Sequence, residues 1–331
     1  MYNLLLDAHF DVLLDVLSYR KQGERKVLEK RHFQNLKDAG ISTIICSLYI
    51  CENYLPEGAL RNALDQISAL KEELGESGEY FSLCRNSSEA KAASKKGKIG
   101  LFLSLEGAEP LGKDIFLLRT FYDLGVRLMG LTWSRRNYAG DGSSFDPSDA
   151  PKYPGGLTAF GRELVMTAQK MGMVVDVSHL NDPGFYEVAD MMKLPFIASH
   201  SNCRALCGSA RNLKDDQIKM IADSGGVIGL NAYSPFVSDS ESDRNAGKFF
   251  KHLEHIREVA SINNVGMGLD LCDCIKSLVI GDQDHLQKDL FADHADAGRR
   301  FLGPLREKLD PEEYKAFTCG NFMRVIERVL G

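Results

Sequence analysis

Five side chains of the types that bind divalent metals stand at or just after the ends of short apolar runs. His9 and Asp11 close the first run, Glu106 ends a second, and His179 and His200 end two later ones. A buried strand that presents an imidazole or a carboxylate at its carboxyl end is how a parallel α/β barrel builds an active site. Together these side chains supply enough ligands for two divalent cations.

Each of these residues has an alternative interpretation when it is taken alone. His9 and Asp11 point to the same side of a strand, but such a pair arises by chance, and a strand-end contact with a loop explains it equally. Glu106 could face solvent, although a buried carboxylate is costly unless it is paired or metal-bound. His179 and His200 could each be a satisfied core histidine. Their recurrence at consecutive strand ends favours a metal site; imidazole suits zinc, and the mixed set also admits manganese, iron or cobalt.

Four further residues are candidates for catalysis or substrate binding. Asp270 ends the last predicted strand, where a carboxylate can move a proton at a metal centre; a loop-initiating aspartate is the alternative. Arg211 suits the carboxylate of a small substrate, with an exposed rim arginine as the alternative. Trp133 and Tyr233, each just after a predicted strand, are further candidate substrate contacts. The remaining histidines are interpreted as surface or packing residues: His32, His252, His255, His285 and His294.

Eight apolar segments are the predicted strands: residues 3–8, 41–48, 99–105, 127–132, 173–178, 195–199, 226–231 and 265–269. Most lack alternation, which is typical of parallel strands covered on both faces. Helical patterns lie between or after them, at residues 57–74, 158–171, 182–192 and 312–329, and Asp182 and Asp310, each followed by proline, are predicted N-caps. The repeated βα order predicts a TIM-type (β/α)8 barrel.

The chain is expected to form one domain over residues 1–331, because no repeat or linker divides it. Three long segments follow predicted strands, at residues 134–155, 234–248 and 270–287. Long loops at the carboxyl ends of barrel strands usually carry substrate contacts.

Composition excludes several classes of function. The formal net charge is −6 and no basic stripe is present, which argues against nucleic acid and against an anionic membrane surface. No apolar stretch reaches the roughly 18 residues that span a bilayer, and no signal peptide is recognisable. A cytoplasmic location is therefore expected. The eight cysteines are expected to be reduced thiols, since their spacing suits neither a disulfide framework nor a zinc finger.

Eight motifs occur in a fixed order along nearly the whole chain: Asp7–Asp11, Ser104–Gly107, Gly155–Glu163, Val175–His179, Ser199–Ser201, Ala210–Asn212, Gly226–Asn231 and Gly320–Val325. This ordered set resembles the membrane (renal) dipeptidase family, the M19 metallopeptidases among the amidohydrolase-like barrels. The individual motifs are short, but their combination is specific.

The resemblance implies a hydrolase of small dipeptides that uses two zinc ions per chain. It assigns one ion to His9 and Asp11, the other to His179 and His200, and a bridging role to Glu106. A hydroxide between the metals would attack the peptide carbonyl, Asp270 would carry a proton to the leaving amine, and Arg211 would hold the substrate carboxylate. Relatives often accept a D-residue at the C-terminal position and form dimers, so a homodimer is possible.

The sequence departs from the family pattern at two places beside the expected substrate. Trp133 stands where the family often has a histidine, and an indole N–H donates one hydrogen bond but cannot become cationic. The segment after Asp270 also differs from the usual Asp-Phe-Asp-Gly. Trp133 keeps one alternative open, an amidohydrolase for a lactone or for another small amide such as an N-acyl amino acid. A metal-binding barrel with weak catalysis is a further alternative.

Overall fold

A single parallel sheet organises the computed structural model, which describes residues 5–145, 148, 150–272, 274 and 289–331. The described residues contain these strands: β1 (Leu5–Phe10), β2 (Ile41–Tyr49), β3 (Phe81–Leu83), β4 (Ile99–Glu106), β5 (Val126–Gly130), β6 (Val174–Asp176), β7 (Ile197–Ala198), β8 (Val227–Leu230) and β9 (Val265–Met267). Eight of them are joined in the order β1-β2-β4-β5-β6-β7-β8-β9, each parallel to its neighbour. This nearly closed parallel barrel confirms the predicted TIM-type (β/α)8 fold.

Strand β3 was not among the predicted strands. It pairs with the first half of β4, where Phe81 stands opposite Ile99, and β5 pairs with the second half, where Val126 stands opposite Leu103. The two strands therefore share one edge of β4. A run of three residues contains too little pattern to be recognised in the sequence.

The barrel closes at a seam, which is the contact between β1 and the residues after β9. Asp270 N–H donates to the His9 carbonyl oxygen at 3.3 Å. Leu269 N–H donates to Asp7 Oδ1 at 2.9 Å, and Asp7 Oδ2 lies 2.9 Å from Nε2 of the buried His294. These partners satisfy the Asp7 carboxylate, which would be costly to bury alone. They also hold the two edges of the barrel together and bring His9 next to Asp270.

Helices surround the strands, as expected for alternating βα units: α1 (Val12–Lys21), α2 (Gln34–Asp38), α3 (Ala59–Glu76), α4 (Ser87–Lys95), α5 (Phe116–Leu124), α6 (Ala159–Lys170), α7 (Asp182–Met191), α8 (Asp215–Asp223), α9 (Ala246–Val259), α10 (His294–Ala297), α11 (Gly303–Lys308), α12 (Pro311–Lys315) and α13 (Asn321–Leu330). Three π-helical turns, Leu28–Phe33, Gly298–Leu302 and Ala316–Gly320, adjoin them. The predicted helix at residues 312–329 is thus two α-helices joined by the last of these turns.

The two predicted N-caps had different outcomes. Asp310 caps α12, since its carboxylate accepts from the backbone N–H groups of Glu312 and Glu313. The prediction for Asp182 was wrong by one residue, because Asn181 caps α7 by accepting from Gly184 N–H at 3.0 Å. Asp182 lies in the first turn of α7, and its carboxylate accepts a hydrogen bond from the Arg204 guanidinium at 2.7 Å.

The amino ends of the strands are covered by the C-terminal helix. Phe322 and Ile326 of α13 join a buried apolar cluster with strand residues such as Phe102 and Val227. Arg324 donates to the Gly225 carbonyl just before β8, which fixes α13 at this end. The opposite, carboxyl ends of the strands are where the candidate site residues lie.

The histidines outside the predicted ligand set have protein partners where the structure describes them. His32 lies 3.1 Å from Asp15, His252 contacts the Val237 carbonyl oxygen, and His255 lies 2.7 Å from Asp215. His285 and most of the segment 270–287 lie outside the described residues. All eight cysteines are free. None of the described helices is both long and apolar enough to cross a bilayer.

Candidate metal centre and active site

The five predicted ligands meet at the carboxyl ends of the barrel strands. His9 Nε2 lies 3.7 Å from Asp11 Oδ1, and the Nε2 atoms of His179 and His200 are 2.8 Å apart. Glu106 lies between these two pairs. Its Oε2 is 3.4 Å from His9 Nε2, and its Oε1 is 3.1 Å from His179 Nε2 and 3.9 Å from His200 Nε2. Each carboxylate oxygen therefore faces a different pair, which is the geometry that a bridging ligand requires.

The hydrogen bonds around this cluster fit a metal centre. Within the described residues, His9 Nε2 and Glu106 Oε2 are buried without a hydrogen-bond partner, although buried polar atoms are normally satisfied. Ser134 Oγ is hydrogen-bonded to Nδ1 of His179, and Ser199 Oγ is hydrogen-bonded to Nδ1 of His200, both at 2.7 Å. Such partners on Nδ1 leave Nε2 as the atom directed to the centre, as is usual for metal-binding histidines. The mixed nitrogen and oxygen set suits zinc and similar divalent cations.

Two of the site residues adopt left-handed backbone conformations. The φ angle is 67° at His179 and 54° at Asp270. Non-glycine residues rarely adopt these angles, which cost about 1–3 kcal/mol and cluster at functional sites. Each residue lies three positions beyond the end of its strand, β6 or β9. The His179 side chain lies against Glu106, and the Asp270 side chain lies against His9.

Asp270 and Arg211 lie beside the metal-ligand cluster. Asp270 Oδ1 is 3.7 Å from His9 Nε2, and Asn231 Nδ2 donates to Asp270 Oδ2 at 2.9 Å. Arg211 is 3% exposed, and its Nη2 donates to the His200 carbonyl oxygen at 3.1 Å. Its Nε has no hydrogen-bond partner in the described part of the chain. A buried guanidinium with a free donor is suited to an anionic ligand.

The whole chain matches one protein family. A model of the membrane dipeptidase family, peptidase family M19, matches residues 2–330. The chain belongs to this family. The family resemblance of its motifs is thereby confirmed.

Individual relatives agree with this assignment. The structure of a metallopeptidase described as dipeptidase AC covers 100% of both chains at 27% identity, with a TM-score of 0.87. A metallopeptidase from Rhodobacter sphaeroides, liganded with a phosphinate mimic of the dipeptide L-Ala-D-Ala, covers 99% of this chain and 100% of its own at 26% identity, with a TM-score of 0.86. The family match and these structures indicate a hydrolase of the metallo-dipeptidase class.

A further relative is an uncharacterized protein, and the alignment with it covers only part of both chains. An uncharacterized protein in the PQQ-III 3' region of Acinetobacter calcoaceticus is 33% identical over 199 residues. The alignment covers 59% of this chain and 62% of that protein. The chain thus matches less than two thirds of this relative's length.

Burial and charge together determine the pKa values of the candidate site. Burial opposes protonation of His9, but the Glu106 carboxylate beside it raises the pKa to about 10. Burial also opposes ionisation of Glu106, yet the imidazoles of His9 and His179 outweigh it and keep the pKa of the carboxyl below its usual range. Burial lowers the pKa of His179 to about 3 and lowers that of His200. Neutral His179 and His200 beside an ionised Glu106 are in the protonation states that metal binding needs. His9, whose raised pKa keeps it protonated near neutral pH, would have to release its proton when a metal binds.

Trp133 and Tyr233 lie at the same end of the barrel. The Trp133 indole stacks on the His179 ring, with centroids 5.5 Å apart and an interplanar angle of 27°. Tyr233 N–H donates to Asn231 Oδ1 at 2.7 Å, next to the amide that holds Asp270. Both residues are therefore neighbours of site residues, and their contact with a substrate stays a prediction.

Several supporting residues were not singled out from the sequence. Ser47 Oγ donates to Asp11 Oδ1, and Ser199 Oγ donates to Asp176 Oδ2 as well as contacting His200. Asn231 holds Asp270. Serine and asparagine are common at strand ends, so their residue types alone gave no signal; only their place beside the ligands could have drawn attention to them.

Proposed function

We propose that this protein is a dipeptidase whose site holds two divalent cations, with zinc as the metal. The observation that carries the proposal is the position of Glu106, one oxygen of which faces His9 while the other faces His179 and His200. His9 and Asp11 would hold one cation, His179 and His200 the other, and Glu106 would bridge them. Bound cations would supply Lewis acidity, which lowers the pKa of water and polarises a carbonyl group.

Asp270 is the proposed proton carrier. Burial raises its pKa to about 6, so near neutral pH the carboxyl can both accept and return a proton. Asn231 holds Oδ2 and leaves Oδ1 directed at the cluster, 3.7 Å from His9 Nε2. In hydrolysis of a peptide bond, the carboxylate would take the proton of the attacking water and deliver it to the nitrogen of the leaving amine.

Arg211 is the proposed anchor for the free carboxylate of the substrate. Among the described residues, no carboxylate lies within ion-pair distance of its guanidinium, and its Nε is unused. A dipeptide carries a carboxylate one residue beyond the scissile bond, and the family relative liganded with a mimic of L-Ala-D-Ala supports a ligand of this size. Trp133 and Tyr233 would complete the contacts around it.

Hydrolysis of N-acyl amino acids is the second candidate function. Trp133 favours it, because the family often has at this place a histidine that can become cationic, whereas an indole offers one neutral donor. An N-acyl amino acid keeps both the amide bond and the carboxylate that Arg211 would bind, but it lacks the free amino group of a dipeptide.

Metal analysis and substrate panels test these proposals. The protein is stripped with a chelator, reloaded with zinc, and assayed on matched dipeptides and N-acetyl amino acids that share the same C-terminal residue. Two equivalents of zinc per chain and preference for dipeptides are expected. One equivalent or none would contradict the binuclear site, and faster cleavage of the N-acetyl series would favour the second function.

A further inference from the structure

Four rings form a continuous aromatic arc from a metal ligand to the candidate carboxylate anchor. Trp133 stacks on His179, and Phe145 lies 5.0 Å from Trp133 between ring centroids. Phe145 in turn stacks on Phe236 with centroids 5.5 Å apart and an interplanar angle of 4°. The aromatic arc is defined here as Trp133, Phe145, Phe236 and Tyr233, whose ring centroid is 4.9 Å from that of Phe236.

The arc ends at Arg211, whose guanidinium carbon lies 5.4 Å from the centroid of the Phe236 ring. One end of the arc is thus at the metal-ligand cluster and the other is at Arg211. In a dipeptide the attacked carbonyl belongs to the N-terminal residue and the carboxylate to the C-terminal residue. A substrate that spans from the cluster to Arg211 therefore places its C-terminal residue along the arc.

The exposure of Phe145 shows that the arc has an uncovered face. Phe145 is 45% exposed, whereas Phe236 beneath it is 4% exposed. An isolated exposed aromatic residue needs no explanation, but one stacked within a ring cluster beside a polar site is typical of a ligand contact. Aromatic rings favour apolar and aromatic partners through burial and through ring–ring contacts.

We propose that the aromatic arc is a subsite for an apolar or aromatic side chain on the C-terminal residue of the substrate. This inference rests on the proposed dipeptidase function and on the role of Arg211. It sets the specificity of the leaving residue: a bulky apolar side chain is favoured, glycine gains nothing from the arc, and a charged side chain is disfavoured because the rings cannot solvate it.

The zinc-loaded enzyme is assayed on Ala-Gly, Ala-Leu, Ala-Phe and Ala-Asp. Values of kcat/KM for Ala-Leu and Ala-Phe are expected to exceed that for Ala-Gly by about tenfold or more, as burial of a large apolar side chain allows. In Phe145→Ala the ratio of Ala-Phe to Ala-Gly falls by about two- to tenfold, mainly through KM, which is the size of one aromatic contact. Phe116→Ala is the matched control, since Phe116 is 82% exposed at the start of α5.

A second readout is independent of turnover. Trp133 is the sole tryptophan of the chain, so tryptophan fluorescence reports on the surroundings of this one ring of the arc. Free phenylalanine, which would be the leaving product, should change this emission at lower concentration than glycine does, and Phe145→Ala should weaken the response. Unfolding curves of each variant confirm that it is folded.

The outcomes separate the inference from the proposed function. Equal cleavage of Ala-Gly and Ala-Phe, unaffected by Phe145→Ala, overturns the subsite while the dipeptidase function stands. Cleavage of no dipeptide, with a Phe145-dependent fluorescence response to phenylalanine, refutes the proposed function but supports the arc as a binding subsite. Neither cleavage nor a fluorescence response overturns both.

Discussion

Removal of the Ser199 hydroxyl is predicted to weaken metal binding because this hydroxyl fixes the proton on His200. Asp176 Oδ1 accepts from the N–H groups of Ser178 and Ser199, and its Oδ2 accepts from Ser199 Oγ–H. A carboxylate can only accept, so the single proton of the hydroxyl is committed to Asp176. The oxygen of Ser199 must then accept from His200 Nδ1–H, which leaves the lone pair of His200 on Nε2, the atom directed to the centre.

The size of the effect follows from this hydrogen bond. In Ser199→Ala the buried Nδ1–H of His200 loses its partner, at a cost of about 1–3 kcal/mol. If the loss appears only in the bound state, the metal dissociates about five- to 150-fold more readily. Asp176→Asn is expected to be at least as harmful, because an amide N–H can donate to Ser199 and turn its hydroxyl toward Nδ1. The proton of His200 would then move to Nε2, where it blocks the metal.

Competition titration against a zinc-binding dye measures the effect, and Ser201, on the other side of His200 in the sequence, supplies a matched control. Its Oγ is also buried but has no hydrogen-bond partner in the described residues. Ser201→Ala removes the same hydroxyl group and should change zinc affinity by less than about twofold. NMR of nitrogen-labelled histidine reads the tautomer directly. Equal zinc affinities for Ser199→Ala and Ser201→Ala would refute the reasoning.

Further predictions concern the other parts of the site and the seam. Glu106→Gln should lose most bound metal and all measurable turnover; retention of turnover would exclude the bridging role. Asp270→Asn should keep both metals but lower kcat by about 10²- to 10⁴-fold, and metal loss in this variant would instead make Asp270 a ligand. Arg211→Ala should raise KM for dipeptides about tenfold or more but leave KM for dipeptide amides nearly unchanged, and Arg211→Lys should have an intermediate effect. Equal losses on the free acids and the amides would exclude Arg211 as the anchor of the carboxylate. His294→Leu, which leaves Asp7 without its imidazole partner, should lower the free energy of unfolding in urea by about 3 kcal/mol, and an unchanged value would show that the pair does not stabilise the seam.

The fold was largely predictable because its strands are apolar and parallel. All eight strands of the barrel path overlap predicted segments, since strands covered on both faces consist of unbroken aliphatic runs. The short β3 was missed because three residues contain no period. The N-cap of α7 was placed one residue late because Asn181 and Asp182 are both good caps, and only the bond to Gly184 N–H distinguishes them.

The sequence predicted that the five candidate ligands lie close together, but it did not predict the residues that support them. The carboxyl ends of parallel strands all lie on one side of a barrel. A histidine or an acidic residue at the end of a strand is therefore expected near the others on that side. Ser134, after β5, contacts His179, which follows β6, and Ser199 beside His200 is held by Asp176 of β6. Both arrangements depend on distances between neighbouring strands, which the residue types do not give. Phe145 and Phe236 lie in different loops, so no sequence period indicates that their rings stack.

The seam of the barrel has a consequence for how the protein is made. Leu269 N–H reaches Asp7 across 262 positions of the chain, and the same junction sets Asp270 beside His9. A nascent chain therefore carries His9 and Asp11 long before Asp270 is synthesised, so the candidate site cannot be complete until the segment after β9 has been made and has docked on β1. Contacts between such distant segments form slowly.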